Sequence, residues 1–298
     1  MKLTINNLCK TYDNGVQALD NLSLEINNGM FGLLGPNGAG KSSLMRTLAT
    51  LQEADKGTAF LGDIDILNNP LELRKVLGYL PQEFGVYPKI TAQQLLTHLA
   101  ILKGITAKNE RKDLVHYLLQ KVNLYEKRNK AVSGFSGGMK QRVGIAQALI
   151  GNPKLIIVDE PTAGLDPNER NSFHNLLAKV ASDVVIILST HIVEDVNELC
   201  EKMAIMNQGK IICQGQPKKV IEEITNKVWQ KTIEHQELED YKRHYEVISN
   251  KMVGGKPLIH VLSDKKPASG FESVTPSLED VFFTKINESK KNSVAELI

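Results

Sequence analysis

A glycine-rich stretch at 35–43 carries residue types whose spacing suits phosphate chemistry. Its sequence is Gly-Pro-Asn-Gly-Ala-Gly-Lys-Ser-Ser, and it lies between an apolar run at 30–34 and a segment with helical spacing. Strand, glycine-rich turn and helix together form the context that a phosphate-binding loop requires. Gly35, Gly38 and Gly40 allow the backbone to wrap tightly, so that its N–H groups and the positive end of the helix dipole face an anion.

Two side chains near the end of this stretch could complete the site. Lys41 can reach the outer phosphates of a nucleotide, and the Ser42 hydroxyl can bind Mg²⁺. Because the spacing, the Lys-Ser ending and the flanking elements agree, the sequence predicts a nucleoside triphosphate site rather than a flexible surface turn. The predicted binding residues are Gly35, Pro36, Asn37, Gly38, Ala39, Gly40, Lys41, Ser42 and Ser43.

Two carboxylates, Asp159 and Glu160, follow a second apolar run at 155–158. Since open α/β sheets place ligands at the carboxyl ends of their strands, these side chains are predicted to reach the phosphate loop. Asp159 would hold Mg²⁺ through water, and Glu160 would polarise the attacking water. Strands that end in surface acids are common, so the assignment depends on the phosphate loop that precedes this strand.

A third feature, Ser136-Gly137-Gly138, opens a segment with helical spacing and predicts another anion-binding helix start. A lone Ser-Gly-Gly is usually a turn. Here it precedes the acidic strand, which is followed by Asp166 and then by His191. A small-molecule kinase would have the phosphate loop but no use for the Ser-Gly-Gly and the histidine.

The order of phosphate loop, glutamine, Ser-Gly-Gly, Asp-Glu and histidine resembles the nucleotide-binding subunit of an ATP-binding cassette transporter, over about residues 1–220. The resemblance implies ATP and Mg²⁺ as ligands and hydrolysis of ATP coupled to transport. It also implies that Tyr12 stacks on adenine, that Gln82 senses Mg²⁺ and that His191 contacts the γ-phosphate. The implied catalytic residues are Lys41, Gln82, Glu160 and His191, and the implied Mg²⁺ ligands are Ser42, Gln82 and Asp159.

The same resemblance implies a site shared between two cassettes. In this family two copies close head to tail, so that the Ser-Gly-Gly at 136–138 of one copy would face the ATP of the other, with Asp166 on the loop between them. The second cassette is expected to be an identical chain, with a different cassette protein as the alternative that the sequence leaves open. The sequence departs from the family pattern at Phe135 and Met139, where leucine and glutamine are frequent, and Met139 cannot make the hydrogen bonds of glutamine.

A separate integral membrane permease is the implied partner. The sequence has no run of eighteen apolar residues, so another chain is expected to cross the membrane. The docking surface for it is expected around Gly85 to Gly104, and the protein is expected in the cytoplasm, peripheral on the inner face of the cell membrane. The segment 276–282 resembles the ends of cassettes that serve bacterial drug and antibiotic exporters, which favours export of a small molecule, antibiotic, lipid or peptide.

The composition is that of a globular protein without a strong electrostatic field. Lys and Arg number 36 and Asp and Glu 34 in 298 residues, so the net charge of +2 gives no electrostatic footprint for nucleic acid. The three cysteines, Cys9, Cys200 and Cys213, have neither the spacing of a metal site nor that of a disulfide framework. The beginning of the chain has no signal-peptide pattern.

The main alternative is a soluble cassette ATPase that acts on nucleic acid or the ribosome. DNA-repair cassettes carry a long coiled-coil insertion, but the segment between Ser43 and Ser136 is far too short for one. Translation-factor cassettes usually carry two copies, whereas this sequence has one phosphate loop. The intact set of Lys41, Asp159, Glu160 and His191 argues against a regulatory partner that binds ATP without turnover.

Alternating short strands and helices, together with the resemblance, predict an α/β fold. We expect a P-loop NTPase cassette with a mixed-sheet core, a helical signature subdomain at about 85–150 and a small C-terminal α/β appendage. The predicted domains are 1–217 and 218–298, with a frayed tail from Glu288. Thr91 and Ser277 are predicted to cap the helices that follow them.

Overall fold

The computed structural model of the chain describes residues 1–82, 85, 88–162, 165–179 and 184–295. Its centre is a six-stranded sheet in the order β10-β9-β3-β8-β7-β6, in which all neighbouring pairs are parallel except β9 and β10. Apart from the partly exposed edge strand β10, the strands are mostly apolar and buried, as expected for a sheet covered on both faces. They are β3 (Gly29–Leu34), β6 (Leu77–Leu80), β7 (Leu155–Asp159), β8 (Val185–Thr190), β9 (Lys202–Asn207) and β10 (Lys210–Gly215).

A second, antiparallel sheet covers one face of the central sheet. Its order is β2-β1-β4-β5, with β1 at Lys2–Thr11, β2 at Gln17–Asn27, β4 at Lys56–Leu61 and β5 at Ile64–Asp65. Helix α1 (Lys41–Leu48) packs between the two sheets through Leu44, Met45 and Leu48, which are buried in one apolar cluster with both. Helix α2 (Pro70–Val76) precedes β6.

Helices cover the other face of the central sheet. Helix α3 (Ala92–Leu102) begins at Thr91, whose hydroxyl accepts a hydrogen bond from the Gln94 amide in a capping box, so the predicted cap is confirmed. Helices α4 (Lys108–Lys121) and α5 (Gly137–Ala148) complete the helical part at about 85–150. Helices α6 (Pro167–Ala178) and α7 (Val193–Leu199) follow β7 and β8.

The C-terminal part is a small α/β unit that shares the core of the cassette. Its sheet has the order β12-β13-β11-β14, and its last helix, α10, packs against α7, α8, β9 and β10. Because Val281, Phe282 and Ile286 of α10 belong to the same apolar cluster as the central sheet, burial ties the two parts together. The elements are α8 (Pro217–Glu222), β11 (Val228–Thr232), α9 (Leu238–His244), β12 (Val247–Val253), β13 (Lys256–Leu262), β14 (Glu272–Ser273) and α10 (Leu278–Ala295).

The end of the described chain is helical. Helix α10 continues through Glu288 to Ala295, and two of its residues contact other elements. The Asn207 amide donates to the Ser289 hydroxyl at 3.1 Å, and Lys291 forms a 2.6 Å ion pair with Glu246. A polar face of this helix therefore contacts β9 and the start of β12, and the frayed tail stays a prediction.

The α/β cassette fold with a mixed central sheet is confirmed, and the boundary between residues 217 and 218 stays a prediction. None of the described helices is both long and apolar enough to span a membrane.

Candidate active site

The phosphate loop is held in shape by glycines that contact neighbouring strands. Gly38 and Gly40 have positive φ angles of 81° and 103°, which glycine adopts without strain. A Cβ atom on Gly40 would lie 2.3 Å from the Ala18 carbonyl oxygen, and one on Gly35 would lie 2.5 Å from that of Met206. Any larger residue at either position would push the loop off β2 or β9, so the loop depends on these glycines.

Lys41 lies at the centre of this loop, at the first position of α1. Its ammonium donates to the carbonyl oxygens of Gly35 at 2.7 Å and Pro36 at 3.2 Å, and it lies 3.7 Å from Glu160 Oε1. Burial lowers the pKa of Lys41, while the neighbouring Glu160 and Asp159 carboxylates raise it. The loop therefore carries a buried cation directed at its own concave side, where a phosphate would be received.

Asp159 ends β7 as a buried carboxylate with an unused acceptor. Its Oδ1 atom has no hydrogen-bond partner among the described residues, although it lies beside Ser189 of β8 in the sheet register. Burial raises the pKa of Asp159, and the Ser189 hydroxyl and Lys41 lower it. Buried polar atoms are normally partnered, so this oxygen is a candidate ligand for a cation.

Glu160 follows Asp159 with a strained backbone. Its φ angle is +47°, in the left-handed region that non-glycine residues rarely adopt, and its amide donates to the Ser189 carbonyl at 2.8 Å. This conformation turns the carboxylate toward His191, whose Nδ1 lies 2.8 Å from Glu160 Oε2. Because β7 and β8 are parallel neighbours, the residues that follow them meet at one edge of the sheet.

The other predicted ligand residues lie around this edge and differ in how exposed they are. The ring of Tyr12 is half-buried, and its hydroxyl lies 2.9 Å from Ser43 Oγ and donates to Gln52 Oε1 at 3.1 Å. Ser42 is half-buried at the start of α1, whereas Gln82 is exposed just beyond β6. Pro36, Asn37 and Ala39 lie within the loop itself.

The Ser-Gly-Gly segment forms a separate cluster. Ser136 caps α5 by accepting a 3.3 Å hydrogen bond from the Met139 amide, and its hydroxyl donates to Glu169 Oε1 at 3.0 Å. Asp166 caps α6 by accepting from the Glu169 amide at 2.8 Å. Ser136 and Gly137 are exposed, while Gly138 is buried. The contacts of Ser136 and Asp166 thus join α5 to α6 rather than to the phosphate loop.

Met139, the departure from the family pattern, still makes a polar contact. Its sulfur accepts a 3.5 Å hydrogen bond from Lys127. A thioether is a weak acceptor, so the contact is weaker than those available to glutamine.

Sequence reasoning did not identify two neighbours of the site. Ser189 lies beside Asp159, and Glu169 contacts Ser136. The signals were weak, because Ser189 is one polar residue at the end of an apolar strand and Glu169 is an ordinary first-turn acid. The predicted docking stretch from Gly85 to Gly104 is described in part: residues 86 and 87 lie outside the described residues, and α3 occupies most of the rest.

Comparison with known proteins places this geometry in a family. The model for the ABC transporter family matches residues 19–163. YxlF of Bacillus subtilis (strain 168), named an uncharacterized ABC transporter ATP-binding protein, is 33% identical over 301 residues that cover 96% of this chain and 99% of YxlF.

Two further relatives carry names with a substrate or a direction. YbhF of Escherichia coli (strain K12), a probable multidrug ABC transporter ATP-binding protein, is 32% identical over 84% of this chain and 46% of YbhF. MetN 1 of Bacillus thuringiensis subsp. konkukian (strain 97-27), a methionine import ATP-binding protein, is 37% identical over 72% of this chain and 66% of MetN 1. This chain thus spans nearly all of YxlF but less than half of YbhF.

A solved structure has the same cassette architecture. The ATP-binding cassette MJ0796, in a dimeric post-hydrolysis state bound to ADP and Pi, superposes with a TM-score of 0.65 at 27% identity, covering 72% of this chain and 98% of MJ0796. The fold, the phosphate loop and the near full-length likeness to YxlF agree. The chain belongs to the ABC transporter family, as an ATP-binding subunit that hydrolyses ATP.

Proposed function

We propose that this chain binds ATP at 35–43, hydrolyses it in a site completed by a second copy, and thereby powers a separate membrane permease that exports its substrate. The observation that carries the proposal is the cluster at the ends of β7 and β8. There the Glu160 carboxylate lies 2.8 Å from His191 and 3.7 Å from Lys41. The proposed base thus lies in contact with the residue that orients it and with the phosphate-binding cation.

Each residue of this cluster has a distinct part in the proposed reaction. The loop amides and Lys41 bind the phosphates, and Lys41 exchanges its bonds to the Gly35 and Pro36 carbonyls for phosphate oxygens. Glu160 accepts a proton from the attacking water, and His191 holds that carboxylate in place through Nδ1. Tyr12, fixed by its hydroxyl, offers its ring to the adenine.

The side chains near the loop fit a Mg²⁺ ion. Asp159 Oδ1 is buried and unpartnered among the described residues, and the Ser42 hydroxyl and Gln82 amide supply further oxygen donors, which Mg²⁺ prefers. Bound Mg²⁺ neutralises charge on the phosphate oxygens. We assign Asp159, Ser42 and Gln82 to this role, with Asp159 acting through water.

A second copy of the chain is the proposed source of the missing half of the site. Ser136 and Gly137 are exposed at the start of the 12-residue helix α5, so another molecule can reach this segment, and the Ser136 hydroxyl, which donates to Glu169, would change partners. A helix start aimed at the terminal phosphate binds ATP better than its products, so cleavage favours opening of the pair. The dimeric state named for MJ0796 supports this arrangement.

An apolar groove beside α3 is the proposed docking surface for the permease. Leu51 and Leu102 are 61% and 70% exposed, and both line a cavity of about 340 Å³ between α3 and β6. Exposed apolar side chains around a groove are typical of a protein interface. Since α3 lies within the segment 85–104, this groove agrees with the docking region expected from the sequence.

Export and location are the finer parts of the proposal. The multidrug name of YbhF and the resemblance of the segment 276–282 to the ends of exporter cassettes support export of a small molecule, antibiotic, lipid or peptide. The import name of MetN 1 belongs to a relative that matches a smaller share of this chain. Attachment to the permease would hold the chain at the inner face of the cell membrane.

The test is purification of the tagged chain from membranes of its host. We expect an integral membrane protein to accompany it and to be lost from Leu102→Glu but not from Tyr117→Glu, which places the same charge at another large, 56% exposed side chain, on α4. Transport of a candidate substrate by vesicles that contain both proteins then gives the direction. Ribosomes or DNA in place of a membrane protein would favour the alternative of a soluble cassette ATPase.

A further inference from the structure

We infer that the Glu169 carboxylate occupies, within its own chain, the anion position at the start of α5 that the ATP of the second copy must enter. Glu169 thereby sets the ATP concentration at which two copies close. This inference rests on the proposed function, because it requires the Ser136–Gly138 segment to bind the phosphate of the opposite copy.

The contacts of Glu169 cover the start of α5. Its Oε1 atom accepts a 3.0 Å hydrogen bond from Ser136 Oγ. A Cβ atom built on Gly138 would lie 2.5 Å from Glu169 Cδ and 2.6 Å from Oε1, so the carboxylate lies directly against that backbone. Ser136 and Gly138 are two of the three residues expected to bind phosphate, and one carboxylate contacts both.

Electrostatics explains why a carboxylate rests there. Helix α5 begins with Gly137 and has no acidic residue in its first turn, so the positive end of its dipole has no counter-anion of its own. Glu169 comes from the first turn of α6, which Asp166 already caps through the Glu169 amide. The carboxylate of Glu169 is therefore not needed to cap α6 and can interact with the start of α5.

The position of Glu169 in the first turn of α6 also leaves its carboxylate a second favourable location after a phosphate displaces it from Ser136. As a first-turn residue of α6, Glu169 remains stabilised by the dipole of its own helix after it leaves Ser136. A phosphate and a carboxylate cannot share one donor set without like-charge repulsion. ATP must consequently break the Ser136–Glu169 hydrogen bond before the two copies close.

The opposite effect is expected if Glu169 only positions Ser136. In that case removal of the carboxylate would disorder the serine and raise the ATP concentration needed for closure. In the competition model, removal of the charge lowers that concentration. The direction of the shift therefore separates the two roles, and a general loss of structure would not mimic the lowered midpoint.

The experiment is an ATP titration of dimer formation by the full chain in the Glu160→Gln background, which slows hydrolysis. Sedimentation velocity with Mg²⁺ present measures the midpoint. We expect Glu169→Gln to lower the midpoint about 10- to 150-fold, the range for one hydrogen bond to a charged group. Glu169→Ala should shift it in the same direction. The control is Glu110→Gln, which removes the first-turn acid of α4 and should leave the midpoint unchanged.

The outcomes separate this inference from the proposed function. If Glu160→Gln alone forms no dimer at any ATP concentration, the shared site is wrong and the inference fails with it. If Glu160→Gln dimerises but Glu169→Gln leaves the midpoint unchanged or raises it, the inference is overturned while the proposed function stands. Circular dichroism and the thermal midpoint of each variant establish that the shift is measured on folded protein.

Discussion

Two clusters of histidine and carboxylate lie on the elements that follow β7 and β8, and they differ in how fully their polar atoms are partnered. In the first, Asp195 is completely buried and accepts a 2.5 Å hydrogen bond from Thr162 and a 3.1 Å contact from His174 Nε2. The other ring nitrogen of His174 lies 3.1 Å from Glu198. This cluster, which we call the buried histidine cluster, joins α6 to α7.

The second cluster surrounds the phosphate loop and is only partly satisfied. His191 is 48% exposed at its side chain, Glu160 has a strained backbone, and Asp159 has a buried oxygen without a partner among the described residues. The Lys41 ammonium donates to the carbonyl oxygens of Gly35 and Pro36 in the loop. We call this set the loop cluster.

The difference teaches how to separate structural from chemical roles in one protein. A buried carboxylate that is fully partnered rigidifies the fold and offers nothing to a ligand. A cluster with an orphan acceptor, an exposed histidine and backbone strain keeps unsatisfied groups at the cost of stability, which is expected at functional sites. Residue type alone does not distinguish them, because both contain a histidine hydrogen-bonded to a carboxylate.

The largest expected effect comes from exchanging the glutamate of each cluster. Glu160→Gln removes the proposed base and should lower kcat for ATP about 100- to 10,000-fold, because general base catalysis contributes on this order. Glu198→Gln, which changes the half-exposed partner of His174, should leave kcat within about twofold. Steady-state ATPase assays measure both. Equal activity of Glu160→Gln and the unmodified chain would show that the base lies elsewhere.

The second largest effect is a loss of folding stability, which we expect when the buried histidine cluster is changed. Asp195→Ala leaves His174 and the nearby Arg170 without their carboxylate, so it should lower the free energy of unfolding by about 3–5 kcal/mol. The adjacent Glu194→Ala, in the exposed first turn of α7, should change it by less than about 0.5 kcal/mol. Urea unfolding of both variants makes the comparison. A loss below 1 kcal/mol for Asp195→Ala would mean that the network contributes little.

A smaller effect should follow from removing the exposed histidine. His191→Ala frees the Glu160 carboxylate and should lower kcat about 10- to 100-fold, since a misplaced catalytic group costs on this order. The thermal midpoint should stay within about 1 °C, because His191 packs little apolar surface. His174→Ala is the matched change and should do the reverse, lowering the midpoint with little change in kcat of the folded protein. If both variants lose the same activity, the distinction between the clusters fails.

The smallest effect concerns the unpartnered Asp159. Its pKa is raised in the folded chain, chiefly by burial, so the folded state binds more protons than the unfolded state between the ordinary and the raised pKa. Stability therefore falls as the pH rises through this window, and the full cost is present above the raised pKa. Asp159→Asn should raise the thermal midpoint of the nucleotide-free protein at pH 7 by about 1–4 °C.

The pH dependence gives the control for this last prediction. Below the ordinary aspartate pKa of 3.8 both proteins carry a neutral side chain, so their midpoints should converge as the pH falls toward it. With ATP and Mg²⁺ present at pH 7, the unmodified chain should be stabilised more than Asp159→Asn, because ligand binding to the native state raises its stability. A midpoint for Asp159→Asn that is lower at every pH would mean that the carboxylate is stabilising.

Much of the ATP-binding half of the fold could be predicted because its signals are local. Gly35, Gly38 and Gly40 are required by contacts and φ angles within a single turn, and Thr91 is recognisable as a cap from Gln94 three residues on. The signature segment was likewise visible from adjacent residues. Such patterns are encoded within one turn of backbone, where sequence spacing equals spatial proximity.

The omissions concern contacts between distant segments. The contacts of Ser289 and Lys291 in α10 were not expected, because β9 and the start of β12, which supply the partners, are distant in the sequence. The Ser136–Glu169 bond spans 33 residues, and Thr162 and Asp195 are also 33 residues apart, so neither pairing has a local signature. Each depends on how α6 and α7 pack.

The sequence by itself determined which residues can bind phosphate and in what order they occur, because glycine conformations, caps and strand endings are local properties. Only the tertiary structure decided which histidine meets which carboxylate. His191 reaches Glu160 because β7 and β8 are parallel neighbours, while His174 is buried against Asp195 where α6 packs on α7. The physical reason is that burial and sheet register, rather than residue type, decide whether a polar group is saturated by the fold or left available to a ligand.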